Sequence, residues 1–217
     1  MGGVREQSRE RTRAAILAAA RAEIASRGGG GLSMRAVARE VGMVSSAVYR
    51  YFPTREALLT AMIVESYYGL AAALGEVRAR RPDRRWKALG HAFRGWAVAN
   101  PHEFQLVYGT PIPGYVAPAE TVPAAEAVAV HFLQAAKGAE VASFSHRGLV
   151  RQVVGLADVG GATGSGAAAV LAELAALVGF VSLELAGHFV GTVDPADHLY
   201  AALLHRQVDT LALVRVG

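Results

Sequence analysis

The sequence predicts an all-α fold, a small three-helix unit followed by a larger helical body. Three observations carry this. Apolar residues recur at three- and four-residue spacing along most of the chain, the breaks between such runs fall on glycine and proline, and no segment alternates apolar and polar residues as a half-buried strand does. The composition agrees: of 217 residues 53% are hydrophobic and only 18% charged, against roughly 25% charged in an average soluble chain. So apolar a chain implies extensive burial, part of it in a subunit interface.

The elements follow in order. Residues 9–27 form a first helix, with Ile16, Ala20 and Ile24 at four-residue steps beside Leu17, and the run Gly28–Gly31 ends it. Ser33 caps a short second helix carrying Met34, Val37, Ala38 and Val41, and Gly42 closes it. Only Met43 and Val44 separate it from a third short helix, capped by Ser45 and running through Phe52. Pro53 stops that helix, and Thr54 caps a long fourth one with Leu58, Leu59, Met62, Ile63, Tyr67 and Leu70 as its apolar stripe. A fifth runs from Pro82 or Asp83 to Asn100, where Pro101 breaks it. Residues 109–123, with four prolines and two glycines, read as loop. Helices over 124–136 and 145–158 follow, and then Gly160–Gly166 as a flexible connection. Two long helices, 167–190 and 196–213, close the chain, the last capped by Thr192 or Asp194 with Pro195 at its first position. The domain boundary expected from this layout lies between 1–58 and 59–217.

Charge distribution and missing residue types narrow the function. Net charge is +4, yet residues 1–60 hold ten arginines against five acidic residues, so all the positive excess lies in the first quarter of the chain. With no cysteine there are neither disulfides nor thiolate metal ligands, which fits a cytoplasmic location. The charged N-terminus has no apolar stretch of the signal-peptide kind, and Ala167–Phe189 is interrupted by Glu173 and Glu184, so it reads as a buried helix and not a membrane span. No His-Glu-x-x-His and no phosphate-binding Gly-Lys loop is present. Glu184 and His188 lie one turn apart without the spacing of a di-iron bundle, and His198 and His205 read as partly buried or interfacial. An enzyme is therefore not expected, and neither metal nor cofactor.

Ser33–Leu59 is the most informative segment. Two short helices joined by a tight glycine turn cannot bury their apolar faces alone, and packing on the first helix gives the helix-turn-helix plan. Ala38 permits close crossing of the two short helices, while Val41, Val48 and Phe52 fill the space between the three. Ser45, Ser46, Ala47, Tyr49, Arg50 and Tyr51 have no apolar stripe to join and face outward. Small residues let a helix approach base edges, an arginine fork matches guanine O6 and N7, and Tyr and Ser hydroxyls donate to phosphates. Arg55, at the start of the fourth helix, adds a cation beside free backbone N–H groups.

The stretch LSMRAVAREVGMVSSAVYRYFPTREALL, residues 32–59, resembles the DNA-binding motif of the TetR family of repressors nearly position by position. The matched features are a Ser cap, an Ala-x-x-x-Gly turn, and Tyr-x-Tyr-Phe before Arg-Glu-x-Leu-Leu. Val41, Arg55 and the glycine-rich Gly28–Gly31 depart from the family pattern. The resemblance implies that Tyr49, Tyr51 and Arg55 contact phosphates, that Ser45, Ser46, Ala47 and Arg50 face the groove, and that Ser33 and Arg35 lie near the DNA backbone. Thr54 completes the set.

Weaker similarity continues through His91–Trp96, Asn100–Phe104, Gly109–Tyr115 and Val178–Leu185 to a regulatory domain found in part of the family. It implies a homodimer through the last two helices, to which Leu174, Val178, Val181, Leu185, Leu199, Leu203 and Leu211 are suited. It also implies a small-molecule effector in the body. Phe93, Trp96, Phe104, Tyr108, Phe132 and Phe180 are candidates to line an apolar cavity for it, and plain core is the competing assignment for each. The expected function is a repressor released from a palindromic DNA site by a largely hydrophobic molecule. An activator using the same head, and an architectural DNA-binding protein without a ligand, are the alternatives.

Overall fold

A computed structural model describes residues 2–213, all helix, turn and loop with no strand among them. The helices are α1 (Gly2–Arg27), α2 (Met34–Glu40), α3 (Ser45–Tyr49), α4 (Arg55–Gly75), α5 (Pro82–Ala99), α6 (Pro101–Tyr108), α7 (Val122–Ala135), α8 (Arg147–Gln152), α9 (Val154–Gly160), α10 (Gly164–Leu185) and α11 (Asp197–Thr210). They gather into two compact units. The first comprises residues up to Ser66 together with His102–Thr121, and the second comprises Tyr67–Pro101 together with residues from Val122 onward.

In the first unit, Ile16, Leu17, Ala20 and Ile24 of α1 close on Met34, Val37 and Ala38 of α2, on Val48 and Phe52, and on Leu58, Leu59 and Met62 of α4. Leu106, Ile112 and Tyr115 pack against this core from the segment that follows the fifth helix. The tyrosine hydroxyl is 3.0 Å from Thr60 Oγ1. The unit thus extends past the 1–58 head expected from the sequence. Helical periodicity could not show this, because the added segment arrives from far along the chain.

In the second unit α5 packs on α7, α10 and α11, and α10 also meets α7, α8 and α9. Trp86, Leu89, Phe93, Phe132, Leu177, Val181, Tyr200 and Leu204 are wholly buried there. One polar link threads this core and a second lies at its partly exposed edge. Trp86 Nε1 donates to Gln207 Oε1 at 2.9 Å while Gln207 Nε2 donates to the Glu173 carbonyl at 2.9 Å. Arg94 pairs with both Glu184 and Asp197 and lies over the Tyr200 ring, 5.1 Å from its centroid. The guanidinium holds the Asp197 carboxyl below the usual carboxylate range.

Several elements differ from the sequence-based expectation. α1 begins seven residues early because Arg, Glu and Gln sustain a helix without a core to pack on. Pro101 opens a further helix, α6, instead of only ending α5, since proline is tolerated at a first helical position. Residues 145–158 split into α8 and α9 around Val153, where β-branched and glycine residues weaken a continuous helix. The expected flexible connection at Gly160–Gly166 is instead mostly helix. Thr163 caps α10 by accepting from Gly166 N at 2.9 Å, and a Cβ on Gly160 or Gly164 would run into Leu133 or Val150. Those glycines serve close packing. α10 ends at Leu185 and not near 190, and α11 starts after Ala196 with no side-chain cap, Thr192 donating instead to the Phe189 carbonyl. α4 and α10 are long and apolar enough to cross a bilayer by length and composition alone. Both bury apolar residues in helix packing, among them Leu58, Leu59 and Leu70 on α4 and Ala167, Val170 and Val181 on α10.

Candidate nucleic-acid interface

The interface is built on α2 and α3. Ser33 caps α2, its hydroxyl accepting from Ala36 N at 3.4 Å. Gly42, at φ +66°, reverses the chain after α2 in the left-handed region that a glycine adopts without a Cβ clash. Met43 N then returns to the Ala38 carbonyl at 2.8 Å, and this tight turn aims α3 away from α2. Ser45 is the first residue of α3 and not its cap, a position Val44 occupies without a side-chain bond. Thr54 does cap α4, accepting from Ala57 N at 3.0 Å.

One face of α3 is consumed by the core through Val48, wholly buried, with Phe52 just beyond. The other carries Ser46, Tyr49 and Arg50, all exposed, with Ser45 and Ala47 half-buried beside them; Tyr51, expected to face outward, is half-buried and packs against the head core. Arg35 and Arg39 project from α2 into solvent. Arg9 of α1, not among the residues expected from the sequence, lines a notch together with Met43, Ala47, Arg50 and Tyr51. Its four-residue spacing from Arg13 is the signal that could have found it.

The segment that builds this head also matches a known family of regulators. Residues 16–62 match the model for bacterial regulatory proteins of the tetR family, and residues 86–211 match the tetracyclin repressor-like C-terminal domain. The chain belongs to the TetR family. Over 120 residues this TetR-family chain is 44% identical to the HTH-type transcriptional regulator Rv1816 of Mycobacterium tuberculosis (strain ATCC 25618 / H37Rv), a stretch covering 54% of this chain and 51% of the relative. The chain thus spans about half the length of the curated relatives it matches. Among solved structures it is similar to the regulatory protein SCO4313, with 30% identity, a TM-score of 0.77 and coverage of 94% and 98% of the two chains. A protein with unknown function from Rhodococcus sp. RHA1 has 27% identity, a TM-score of 0.68 and coverage of 92% and 95%.

Arg55 of this TetR-family chain is placed differently from the other expected DNA contacts. Its Nε donates to the Leu32 carbonyl at 3.0 Å, and Nη2 donates to the carbonyls of Gly29 and Gly30 at 2.9 and 3.1 Å. The guanidinium therefore faces the 3-10 turn Gly29–Gly31, collecting the carbonyls of Gly29 and Gly30 and that of Leu32 just after it.

The six aromatic residues expected to line a ligand cavity fall into separate groups. In the second unit, Phe93 and Phe132 lie edge to face at 6.4 Å, Phe132 also meeting Trp86 at 5.2 Å. Phe180 meets both Phe189 and Tyr200 at a tilt, with ring centroids 4.9 Å apart, and Trp96 is half-buried beside Gly69. Phe104 and Tyr108 pair at 5.3 Å within the first unit. That unit also holds a cavity of about 290 Å³ lined by Ile24, Gly28–Gly30, His102, Gln105, Leu106 and Thr110–Pro113. Of the residues suited to dimer contact, Val181 and Leu211 are buried inside the chain itself. On α10 Leu171, Ala175, Gly179 and Leu183 are exposed instead, four apart and so on one face, and on α11 Leu199 is exposed.

Proposed function

We propose that this chain is a DNA-binding transcriptional repressor that reads a palindromic site as a homodimer and is released by a small, largely hydrophobic effector. The observation that carries the reading is the free face of α3, with Ser46, Tyr49 and Arg50 exposed on a helix whose opposite face is core. A helix with small residues at its start suits entry into a major groove about 12 Å wide. In this reading Ser45, Ser46 and Ala47 approach base edges, Arg50 offers its fork to a guanine, and Tyr49 and Tyr51 donate to phosphates. Ser33, Arg35 and Thr54 lie beside the DNA backbone. Arg55 acts by holding the turn between α1 and α2, which fixes where α2 begins, and not by meeting a phosphate itself.

The exposed stripe on α10 supports the homodimer. Ala175 and Gly179 at its centre permit close approach of a second α10, flanked by Leu171 and Leu183. Two heads related by a twofold axis read half-sites about 34–36 Å apart, so an effector need only favour a different head spacing. A difference in affinity worth about 1–3 kcal/mol between two arrangements is enough. Selecting bound fragments from random duplex DNA tests the reading directly. An inverted repeat with fixed half-site spacing is expected, and enrichment of no sequence together with no retention at low salt would refute it.

A further inference from the structure

We propose that Arg9, on the N-terminal part of α1, is a DNA phosphate contact that carries the footprint of each head beyond the helix-turn-helix. The inference rests on the DNA-binding reading above and adds to it a residue outside the motif.

The notch that Arg9 lines with Met43, Ala47, Arg50 and Tyr51 has a volume of about 430 Å³. It lies on the side of the head that presents α3, and two of its five lining residues are arginines. Among the described residues the guanidinium groups of Arg9 and Arg50 have neither a carboxylate nor a hydrogen-bond partner, although the Arg50 backbone N–H bonds to the Ala47 carbonyl. Of the other α1 arginines, Arg13 and Arg21 are held by Glu65 at 3.0 and 2.7 Å, and Arg21 also meets Glu103 at 3.2 Å; Arg5 and Arg11 are as free as Arg9 among the described residues but do not line the notch. Two like charges lining one notch with no carboxylate between them repel one another, and an anion entering the notch is attracted to both.

The sequence explains how this cation comes to stand beside the reading helix. Ile24, Ala20, Leu17 and Arg13 follow one another at three- and four-residue steps, so they share a face of α1. That face seals the head core as far as Leu17. It leaves the core at Arg13, whose guanidinium lies over the Phe52 ring, 5.4 Å from its centroid. Arg9 is one turn further on, about 6 Å along the axis at 1.5 Å per residue. The apolar stripe that orients α1 therefore continues as a cationic one towards the residues of α3.

The occupant is a phosphate and not a base. Arg9 belongs to α1, which stays outside a groove filled by α3, and duplex DNA presents one negative charge every 1.7 Å or so along its axis at that position. A guanidinium fork matches two phosphate oxygens, and such an interaction positions the head without reading sequence.

The test uses the full chain and the duplex recovered by selection from the random pool, with affinity measured between 50 and 200 mM salt. Arg9→Ala is expected to make the slope of log K against log salt shallower by about 0.9 for each phosphate no longer neutralised, so by about 1.8 for a duplex holding two heads. The fall in affinity should be equal on mismatched duplexes, and Arg9→Lys, which keeps the charge, should restore the slope. Because Arg9 is exposed, circular dichroism should show both variants folded. A wild-type slope in Arg9→Ala, or an equally shallow slope in Arg9→Lys, would overturn the inference while leaving the DNA-binding reading intact. Wild-type protein that bound no duplex would overturn both.

Discussion

The guanidinium of Arg55 donates to the carbonyls of Gly29, Gly30 and Leu32, and its side chain is only 24% exposed. Glycine carbonyls in a 3-10 turn have few alternative donors, so one side chain stabilises a turn that its own residues hold weakly. Arg55→Ala should lower stability by about 1–3 kcal/mol, seen as a lower urea midpoint with an unchanged m-value. Since Arg55 meets no phosphate in this reading, the variant should lose DNA affinity with little change in salt slope, the opposite signature to Arg9→Ala. A second residue-scale prediction concerns His131 of α7. Burial, and then the charge of Arg85, push its pKa below the ordinary 6.5, against a hydrogen bond to the Ala71 backbone that raises it. The unfolded chain therefore takes up a proton at this site at higher pH than the folded one. Its contribution to stability is present above pH 6.5 and is lost as pH falls from there towards the lower folded value. His131→Gln should make the urea midpoint depend less on pH between about 7.5 and 5 than it does in the wild type.

At the scale of elements, the close crossing of α5 and α11 depends on Gly90. A Cβ there would collide with the Leu204 side chain, and the carbonyl of the same residue accepts from the Tyr200 hydroxyl at 2.6 Å. Tyr200 is wholly buried, which pushes its hydroxyl pKa up and keeps it a neutral donor. Gly90→Ala should cost about 1–3 kcal/mol through overpacking. Adding Leu204→Ala should cost less than the sum of the two single changes, since the second removes the atoms the first strikes; a double-mutant cycle by urea melts measures the coupling. The same logic separates the glycines around residue 160 from a flexible linker. Glycine runs are conspicuous in the sequence. Whether each serves a bend or a close approach depends on the neighbours, Leu133 and Val150, which the sequence does not bring near.

At the scale of the whole molecule, function in this reading requires two copies. The Leu171–Leu183 stripe on α10 is the surface available for pairing, and Leu183 is 46% exposed at one end of it. Leu183→Asp would bury an unpaired charge at a paired α10 face, so sedimentation should show a shift from dimer to monomer. Affinity for the palindrome should fall towards that for one half-site. A folded variant that remained dimeric and bound the palindrome as wild type does would move the interface elsewhere.

The helix-turn-helix was legible in the sequence because its determinants are local. A Ser cap, the glycine turn after Val41, the proline after Phe52 and a three-four apolar spacing each act within one or two turns of helix, and the family pattern is written in those same residues. On α3 that spacing separated buried Val48 from exposed Ser46, Tyr49 and Arg50, but Tyr51, expected to face outward, packs against the head core. Pairings between distant segments were decided only by the tertiary structure. The engagement of Arg55 with the Gly29 turn, the packing of Ile112 and Tyr115 on the head, the burial of Val181 and Leu211 within one chain and the convergence of Arg9 with Arg50 all join residues that no local spacing relates. Such pairings are set by how whole helices pack, which depends on the summed shape of many side chains and not on any short run of them.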